Sequence, residues 1–102
     1  MAQKRETVFR SGHVIPFLKT LAHTVAFPVQ QRAIRGSPDF LVCCGGIFVG
    51  LELKAENGSL DLLQKYNLEK IEKCGGVAIV ASPTNWEEVK ALLIKLDQGE
   101  KS

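Results

Sequence analysis

Apolar residues recur along the first part of the chain with a helical period. The stripe consists of Val8, Ile15, Leu18 and Leu21. Its near-helical spacing predicts an amphipathic helix over residues 4–23. Gly12 and Pro16 interrupt the pattern, and because proline has no backbone N–H to donate, we expect a kink or a break near them.

The next two segments are a strand and a polar loop. Residues 24–30 have the composition of a β-strand, and Pro28 places that strand at a sheet edge or a bulge, where a missing donor is tolerated. Residues 31–38 are polar and basic, which predicts a loop. The chain therefore enters its most apolar region through a basic connection.

A glycine pair lies between the two most apolar runs. Residues 39–44 and 47–54 flank Gly45 and Gly46. Such a pair between apolar runs is typical of a two-residue hairpin turn. Two antiparallel strands are therefore predicted, and a purely parallel sheet is excluded.

The first half of the C-terminal region has clear helix boundaries. Asp61 is a good N-cap, and Gln64 three residues later completes a capping box. The predicted helix runs to Cys74, where Gly75 and Gly76 end it. The short apolar run from residue 77 to residue 81 then predicts a buried strand.

A last helix is predicted from Thr84 as its N-cap, with Glu87 at the third helical position, to about Asp97. Its buried stripe comprises Trp86, Val89, Leu93 and Leu96. The order is then αβββαβα. We predict an α/β fold with a mixed β-sheet flanked by helices, with a right-handed crossover if the third and fourth strands are parallel.

The length of 102 residues fits a single domain spanning residues 1–102. No segment is long and apolar enough to span a bilayer, and the first residues lack the apolar region of a signal peptide, so we expect a cytoplasmic protein without membrane contact. The cysteines are Cys43, Cys44 and Cys74. An odd count with two adjacent members favours buried, reduced thiols over disulfides or a zinc site.

Charge is distributed unevenly. Residues 1–38 contain six basic residues and one acid, a net charge of +5, whereas the remainder contains seven lysines and ten acids, a net charge of −3. All four arginines lie in the basic part. Two interpretations stay open, a solvated basic face and a surface that contacts phosphates, since arginine matches phosphate bidentately.

The hairpin brings two carboxylates together. If Cys44 pairs with Ile47, Asp39 lies directly opposite Glu52 on the same face. Lys54 lies two residues further along on that side. Two opposed carboxylates either raise one pKa or bind a cation, and hard oxygen ligands beside open water suit Mg²⁺. The alternative is a surface cross-strand cluster without chemistry.

These residues resemble a known nuclease signature. The strings from Gly36 to Asp39 and from Leu51 to Lys54 resemble the PD-(D/E)XK motif. The longer string Arg-Gly-Ser-Pro-Asp, beginning at Arg35, resembles the Arg-Gly-X-Pro-Asp string of the VRR-NUC family, the virus-type replication-repair nucleases. The glycine pair, the Glu-Leu-Lys strand, the capped helix with its glutamine and the Gly-Gly-Val-Ala-Ile-Val strand follow in that family's order.

The resemblance implies a PD-(D/E)XK restriction-endonuclease-like core and a role for each matching residue. Lys54 would orient or activate the attacking water and stabilise charge on the phosphate. Gln64 would help to position the site, besides its capping role, and Glu6 matches an acidic residue on the family's first helix. The ligands of Mg²⁺, or alternatively Mn²⁺, would be Asp39, Glu52 and the backbone carbonyl of Leu53.

The implied activity is metal-dependent, structure-selective cleavage of DNA, in branched substrates such as Holliday junctions, by a phage or bacterial intracellular protein. A substrate with twofold symmetry needs two active sites, which predicts a homodimer. The alternatives are a flap or nicking nuclease of replication or repair and a non-catalytic DNA-binding module. Candidate DNA contacts are Lys4, Arg5, Arg32, Arg35 and Lys65.

Overall fold

Four β-strands form one mixed sheet, in which they lie in their chain order. The computed structural model describes residues 7–30, 34–56 and 58–100. The strands are β1 (Thr24–Pro28), β2 (Phe40–Cys44), β3 (Ile47–Leu53) and β4 (Val77–Ala81). Strand β2 is antiparallel to both of its neighbours, β1 and β3, whereas β3 and β4 are parallel. The predicted α/β class, the mixed sheet and the edge position of β1 are confirmed.

The hairpin between β2 and β3 turns at the glycine pair. Gly45 has a φ of 60° and Gly46 a φ of 84°, a left-handed conformation at both central positions that non-glycine residues rarely adopt. Cys44 pairs with Ile47, and Phe40 pairs with Leu51. The predicted register is therefore confirmed.

The first helix, α1, has two parts. A π-helical turn spans Arg10–Val14 and an α-helical part spans Ile15–Thr20, with Pro16 in its first turn. The pattern predicts a kink or a break near Gly12 and Pro16, but the helix continues through the π-helical turn, because the backbone of Val14 and Ile15 stays helical. The helix ends at Thr20 and not at residue 23, because Leu21 is extended. Residues 4–6 of the predicted helix lie outside the described residues.

The π-helical turn changes which side chains of α1 are buried. Val8 was predicted to face the core, but it is 58% exposed, whereas Phe9 and Val14 are buried. A π-turn closes i to i+5 bonds, so the residues before it are rotated relative to those after it. A stripe drawn with one uninterrupted helical period is therefore wrong at its N-terminal end.

The other helices are α2 (Leu62–Lys73) and α3 (Trp86–Asp97). The capping box of α2 is confirmed, and Gly75, with a φ of 94°, follows its end. The prediction of Thr84 as the N-cap of α3 is wrong, because Asn85 occupies the N-cap position. The Asn85 side chain closes the preceding turn instead: it accepts from Ser82 N at 2.8 Å and donates to Val80 O at 2.8 Å.

The sheet has two unlike faces. Helices α1 and α3 cover the first face, which we call the closed face, and the predicted stripe of α3 is buried against it. Trp86 makes edge-to-face contacts with Phe9 and Phe17 at centroid distances of 5.3 and 5.5 Å. Helix α2 packs on the opposite face, which we call the site face. On β3, Leu51 and Leu53 face the closed side, so Glu52 between them faces α2.

The cysteines are all free, as predicted, but only Cys44 is buried. Cys43 points to the site face beyond the reach of α2, and Cys74 follows the end of α2, so the prediction of buried thiols is wrong for both. Among the described helices, none has the length and apolar character needed to cross a membrane.

Candidate active site

Asp39 and Glu52 approach each other across the hairpin. Phe40 pairs with Leu51, so the residues one step outward, Asp39 and Glu52, are opposite each other and share the site face. Asp39 Oδ2 accepts a hydrogen bond from Leu53 N at 2.7 Å, which holds this carboxylate against the end of β3. The hairpin register thus turns two residues that are distant in sequence into one cluster.

Glu52 is buried, with only 2% of its surface exposed. Its Oε2 accepts a hydrogen bond from Gln64 Nε2 at 3.0 Å and lies 3.4 Å from Lys54 Nζ. Its Oε1 is also buried, and no donor from the described residues reaches it. An unsatisfied buried carboxylate oxygen is costly, typically by about 1–3 kcal/mol or more, so this atom marks a place where a donor or a cation belongs.

The surroundings of Glu52 disfavour its charge. Burial, followed by the negative charge of Asp39, raises the pKa of Glu52 from 4.5 to about 7, while Lys54 opposes the shift. These are the effects expected of two adjacent carboxylates with too little positive charge between them. A cation at Oε1 would favour the ionised form and reverse the shift.

Gln64 connects helix α2 to the cluster. Its backbone N donates to Asp61 Oδ1 at 2.8 Å and its Oε1 accepts from Asp61 N at 3.0 Å, which completes the capping box. The same side chain donates to Glu52 through Nε2. The two roles left open by the sequence, helix capping and positioning of Glu52, are therefore combined in one side chain.

Gly50 lets α2 approach the sheet. A Cβ at this position would lie 2.5 Å from Ile71 Cδ1 and 3.2 Å from Pro38 Cγ, so the Ile71 side chain would have to shift. Glycine inside a strand often marks such a close approach. Because Gln64 is carried by α2, the spacing at Gly50 also sets how closely its amide meets Glu52.

Lys54 follows β3 on the same side as Glu52, as the sequence predicts, and its side chain is partly buried. Its backbone N donates to Ala81 O at 2.9 Å, which extends the contact with β4. Glu52 is buried and the Lys54 side chain is 18% exposed, so these two side chains do not form a fully solvated cluster. The Lys54 ammonium group lies 3.4 Å from the Glu52 carboxylate.

Arg10 also belongs to this cluster, although sequence analysis did not single it out. Its Nη1 lies 3.9 Å from Asp39 Oδ1, and its guanidinium carbon lies 4.5 Å from the centroid of the Phe40 ring. Arg10 begins the π-helical turn. π-turns occur frequently at functional sites, but the interruption at Gly12 and Pro16 predicts only an irregular helix and does not point to Arg10.

Two of the remaining candidate residues lie at exposed positions, and the others lie outside the described residues. Arg35 is exposed in the loop before β2, and its carbonyl accepts from Asn67 Nδ2 of α2 at 3.3 Å. Lys65 is exposed on α2, next to Gln64. The predicted candidates Lys4, Arg5, Glu6 and Arg32 lie outside the described residues.

Among the described residues, no three His, Cys, Asp or Glu side chains converge to form a metal-binding group. The acidic part of the cluster consists of two carboxylates, Asp39 and Glu52. A cation here would therefore take further ligands from peptide carbonyls, as the resemblance implies for Leu53, and from water. Mg²⁺ typically binds through one or two carboxylates and keeps several waters, so two carboxylates are sufficient for it.

The arrangement defines a class of site: two carboxylates and a lysine on one face of a mixed sheet, beside a capped helix. Comparison with family models, with curated proteins and with solved structures finds no match to this chain. The resemblance to VRR-NUC nucleases therefore rests on the motif residues alone.

Proposed function

We propose that this protein is a metal-dependent DNA endonuclease with a PD-(D/E)XK core of the VRR-NUC type. The observation that carries the proposal is the buried Glu52 beside Asp39, with a carboxylate oxygen that no described donor satisfies. Such a group fits a bound cation better than it fits a purely structural role. Lys54, at 3.4 Å from the same carboxylate, completes the motif.

The donor set is that of a hard divalent cation, Mg²⁺ or alternatively Mn²⁺. Asp39, Glu52 and the backbone carbonyl of Leu53 would hold it. When bound, the cation would supply Lewis-acid activation of water and neutralisation of phosphate charge. The two carboxylates offset its charge, and burial strengthens that attraction.

The protein's own groups position the reaction. Lys54 orients the attacking water and stabilises the negative charge that develops on the phosphoryl group. Gln64 fixes the orientation of Glu52 through its 3.0 Å hydrogen bond. Because α2 and β3 carry these groups on regular secondary structure, little reorganisation is needed during the reaction.

The DNA backbone would be bound by basic residues next to the carboxylates. Arg35 and Lys65 are exposed on the loop and helix that border the site. Lys4, Arg5 and Arg32 are further candidates in the basic part of the sequence. Contacts to phosphates carry no sequence information directly, so we propose recognition by DNA shape, with branched DNA such as a Holliday junction as substrate.

We also propose a homodimer. The supporting observation is a row of exposed side chains on the part of the site face that α2 does not cover. Val25, Cys43 and Phe48 are opposed across β1, β2 and β3, and Phe27, 61% exposed, lies in the adjoining row. Such a patch favours an interface, and a second copy would bury it symmetrically.

Light scattering at micromolar concentration tests the dimer. The wild type should be a dimer, and Phe27→Ser should be a monomer. The exposed Ile94 on α3 provides the control, since Ile94→Ser leaves the patch intact and should remain a dimer. A monomeric wild type would contradict this part of the proposal.

A cleavage assay tests the activity. Four-way junctions, flaps, nicked duplexes and linear duplexes are incubated with the protein in Mg²⁺ or in chelator. We expect junction cleavage that requires Mg²⁺, is lost in Asp39→Asn and is retained in Glu88→Gln, which removes an exposed carboxylate of α3. Preferential cleavage of flaps or nicked duplexes would support the alternative of a flap or nicking nuclease of replication or repair. DNA binding without cleavage in Mg²⁺ or Mn²⁺ would select the non-catalytic module.

A further inference from the structure

Four charged side chains of the described residues form the cluster around β2 and β3. They are Arg10, Asp39, Glu52 and Lys54. When all four are ionised, their formal charges cancel. A divalent cation bound by the carboxylates would add two positive charges to the cluster that contains the guanidinium group. The two cations would then repel each other, so they compete for the same carboxylate.

Arg10 is placed for such competition. At 3.9 Å from Asp39 Oδ1 it attracts this carboxylate by charge but is beyond hydrogen-bond distance. Its guanidinium group makes no side-chain hydrogen bond to any other residue in the described part of the chain, and it is partly exposed. Its donors are therefore available for a ligand at the site opening.

The orientation of Arg10 comes from the ring of Phe40. The guanidinium carbon lies 4.5 Å from the ring centroid, a cation–π contact that retains the side chain near the site when it leaves Asp39. Arg10 begins the π-helical turn. Its guanidinium group carries several N–H donors in a fixed planar arrangement, which matches two phosphate oxygens.

We propose that Arg10 is a phosphate-binding residue that competes with the divalent cation for Asp39 and turns to a DNA phosphate when the cation binds. This inference rests on the proposed function. It adds a coupling between the two ligands: the cation releases the guanidinium group, and the released group strengthens DNA binding. Such coupling is reciprocal, so DNA would also strengthen cation binding.

Two binding measurements test the proposal without relying on cleavage. Calorimetry gives the affinity for Ca²⁺ alone, and fluorescence anisotropy gives the affinity for a labelled duplex with and without Ca²⁺, with duplex integrity checked on a denaturing gel. The variants are Arg10→Gln and, as control, Lys19→Gln. Lys19 is exposed on the same helix, so the control removes the same charge away from the site.

We expect Arg10→Gln to bind Ca²⁺ about fivefold or more tightly than the wild type, which is the lower range of typical coupling between sites. Lys19→Gln should bind it like the wild type. Ca²⁺ should strengthen DNA binding by the wild type and the control more than by Arg10→Gln. Arg10→Lys keeps the charge but not the planar group, so it should restore the weaker Ca²⁺ binding and not the gain in DNA binding.

The failures are distinguishable. If the wild type binds Ca²⁺ and Arg10→Gln binds it no more tightly, the competition is overturned while the proposed metal site stands. If Arg10→Gln shows the wild-type gain in DNA affinity, the phosphate contact is overturned. If the wild type binds no Ca²⁺, both this inference and the proposed metal site are overturned. Should Arg10→Gln not fold, the DNA measurement on Arg10→Lys decides, since an undiminished gain would overturn the proposal.

Discussion

The closed face and the site face of the sheet are built from alternate residues of the same strands. On β3, Leu51 and Leu53 are buried among the aliphatic side chains of α1 and α3, whereas Glu52 between them is buried among charged and amide groups. The closed face holds apolar surface away from water. The site face holds two carboxylates close together, which by itself opposes folding.

The difference suggests how the fold tolerates its site. Burying a carboxylate with an unsatisfied oxygen costs free energy, and the buried leucines of the closed face offset that cost. Strand alternation keeps the two environments apart within one layer of backbone. Changes on the closed face should therefore alter stability first, and changes on the site face should alter binding and chemistry first.

The largest expected effect on stability is that of Leu51→Ala. Leu51 is fully buried on the closed face, so its truncation should lower the free energy of unfolding by about 3–4 kcal/mol. Denaturant unfolding of both proteins measures the loss. Leu92→Ala, at a partly exposed position of α3, is the control and should cost about 1 kcal/mol or less. Equal losses would show that the closed face does not carry the stability.

Lys54→Met, on the site face, should reduce cleavage, whereas Leu51→Ala reduces stability. An ammonium group is not a metal ligand and its charge repels a cation, so Lys54→Met should retain Mg²⁺ binding, measured by calorimetry at pH 8, with an affinity no weaker than that of the wild type. Cleavage should fall by about 100-fold or more, as for other losses of a group that stabilises transition-state charge. Lys95→Met changes an exposed lysine of α3 and should cleave at the wild-type rate. A fully active Lys54→Met would mean that the site face is structural.

Glu52→Gln should change how stability depends on pH. The folded-state pKa of Glu52 is about 7 and its ordinary pKa is 4.5, so between these values the folded protein binds more protons than the unfolded chain. Stability is therefore lost as pH rises from 4.5 to 7 and stays low above it. At pH 8 without divalent cations, Glu52→Gln should be more stable than the wild type by on the order of 2 kcal/mol.

Urea unfolding in chelator at pH 5 and pH 8 measures this difference, because the other titrating groups are common to both proteins. Addition of Mg²⁺ at pH 8 should stabilise the wild type and not the variant. Parallel pH profiles for the two proteins would contradict the prediction.

The smallest effect tests the contribution of α2 to the site face. Asp61→Ala removes the cap that accepts from Gln64 N, and it should cost about 1 kcal/mol of stability. Thermal unfolding measures it against Glu69→Ala, which changes an exposed residue within α2. A loss as large as that of Leu51→Ala would mean that the two faces do not differ in the way described.

Features with local causes were predictable from the sequence. The glycine pair determines the hairpin turn, the turn determines the register, and the register brings Asp39 opposite Glu52. The capping box of α2 is likewise predictable from Asp61 and Gln64. In each case the residues that make the structure are neighbours in sequence, so turn and cap chemistry are sufficient.

Features that depend on distant contacts were not predictable. The helical period of α1 gave no sign that Phe9 would pack on Trp86, and the π-turn that allows this contact also brings Arg10 to Asp39. The N-cap of α3 was misassigned because the side chain of Asn85 bonds to the end of β4 and does not cap the helix, whereas its backbone carbonyl accepts from Val89 N. The role of Gly50 depends on Ile71, a contact between elements that periodicity does not describe.

The hairpin also limits where insertions and deletions can occur in related sequences. Five residues separate Asp39 from Gly45, and five separate Gly46 from Glu52. An insertion of one residue in a single arm would turn one carboxylate toward the closed face, unless a bulge absorbed the extra residue. Residues added within the turn leave the two arms equal in length. The two arms should therefore keep equal lengths wherever the carboxylate pair is retained.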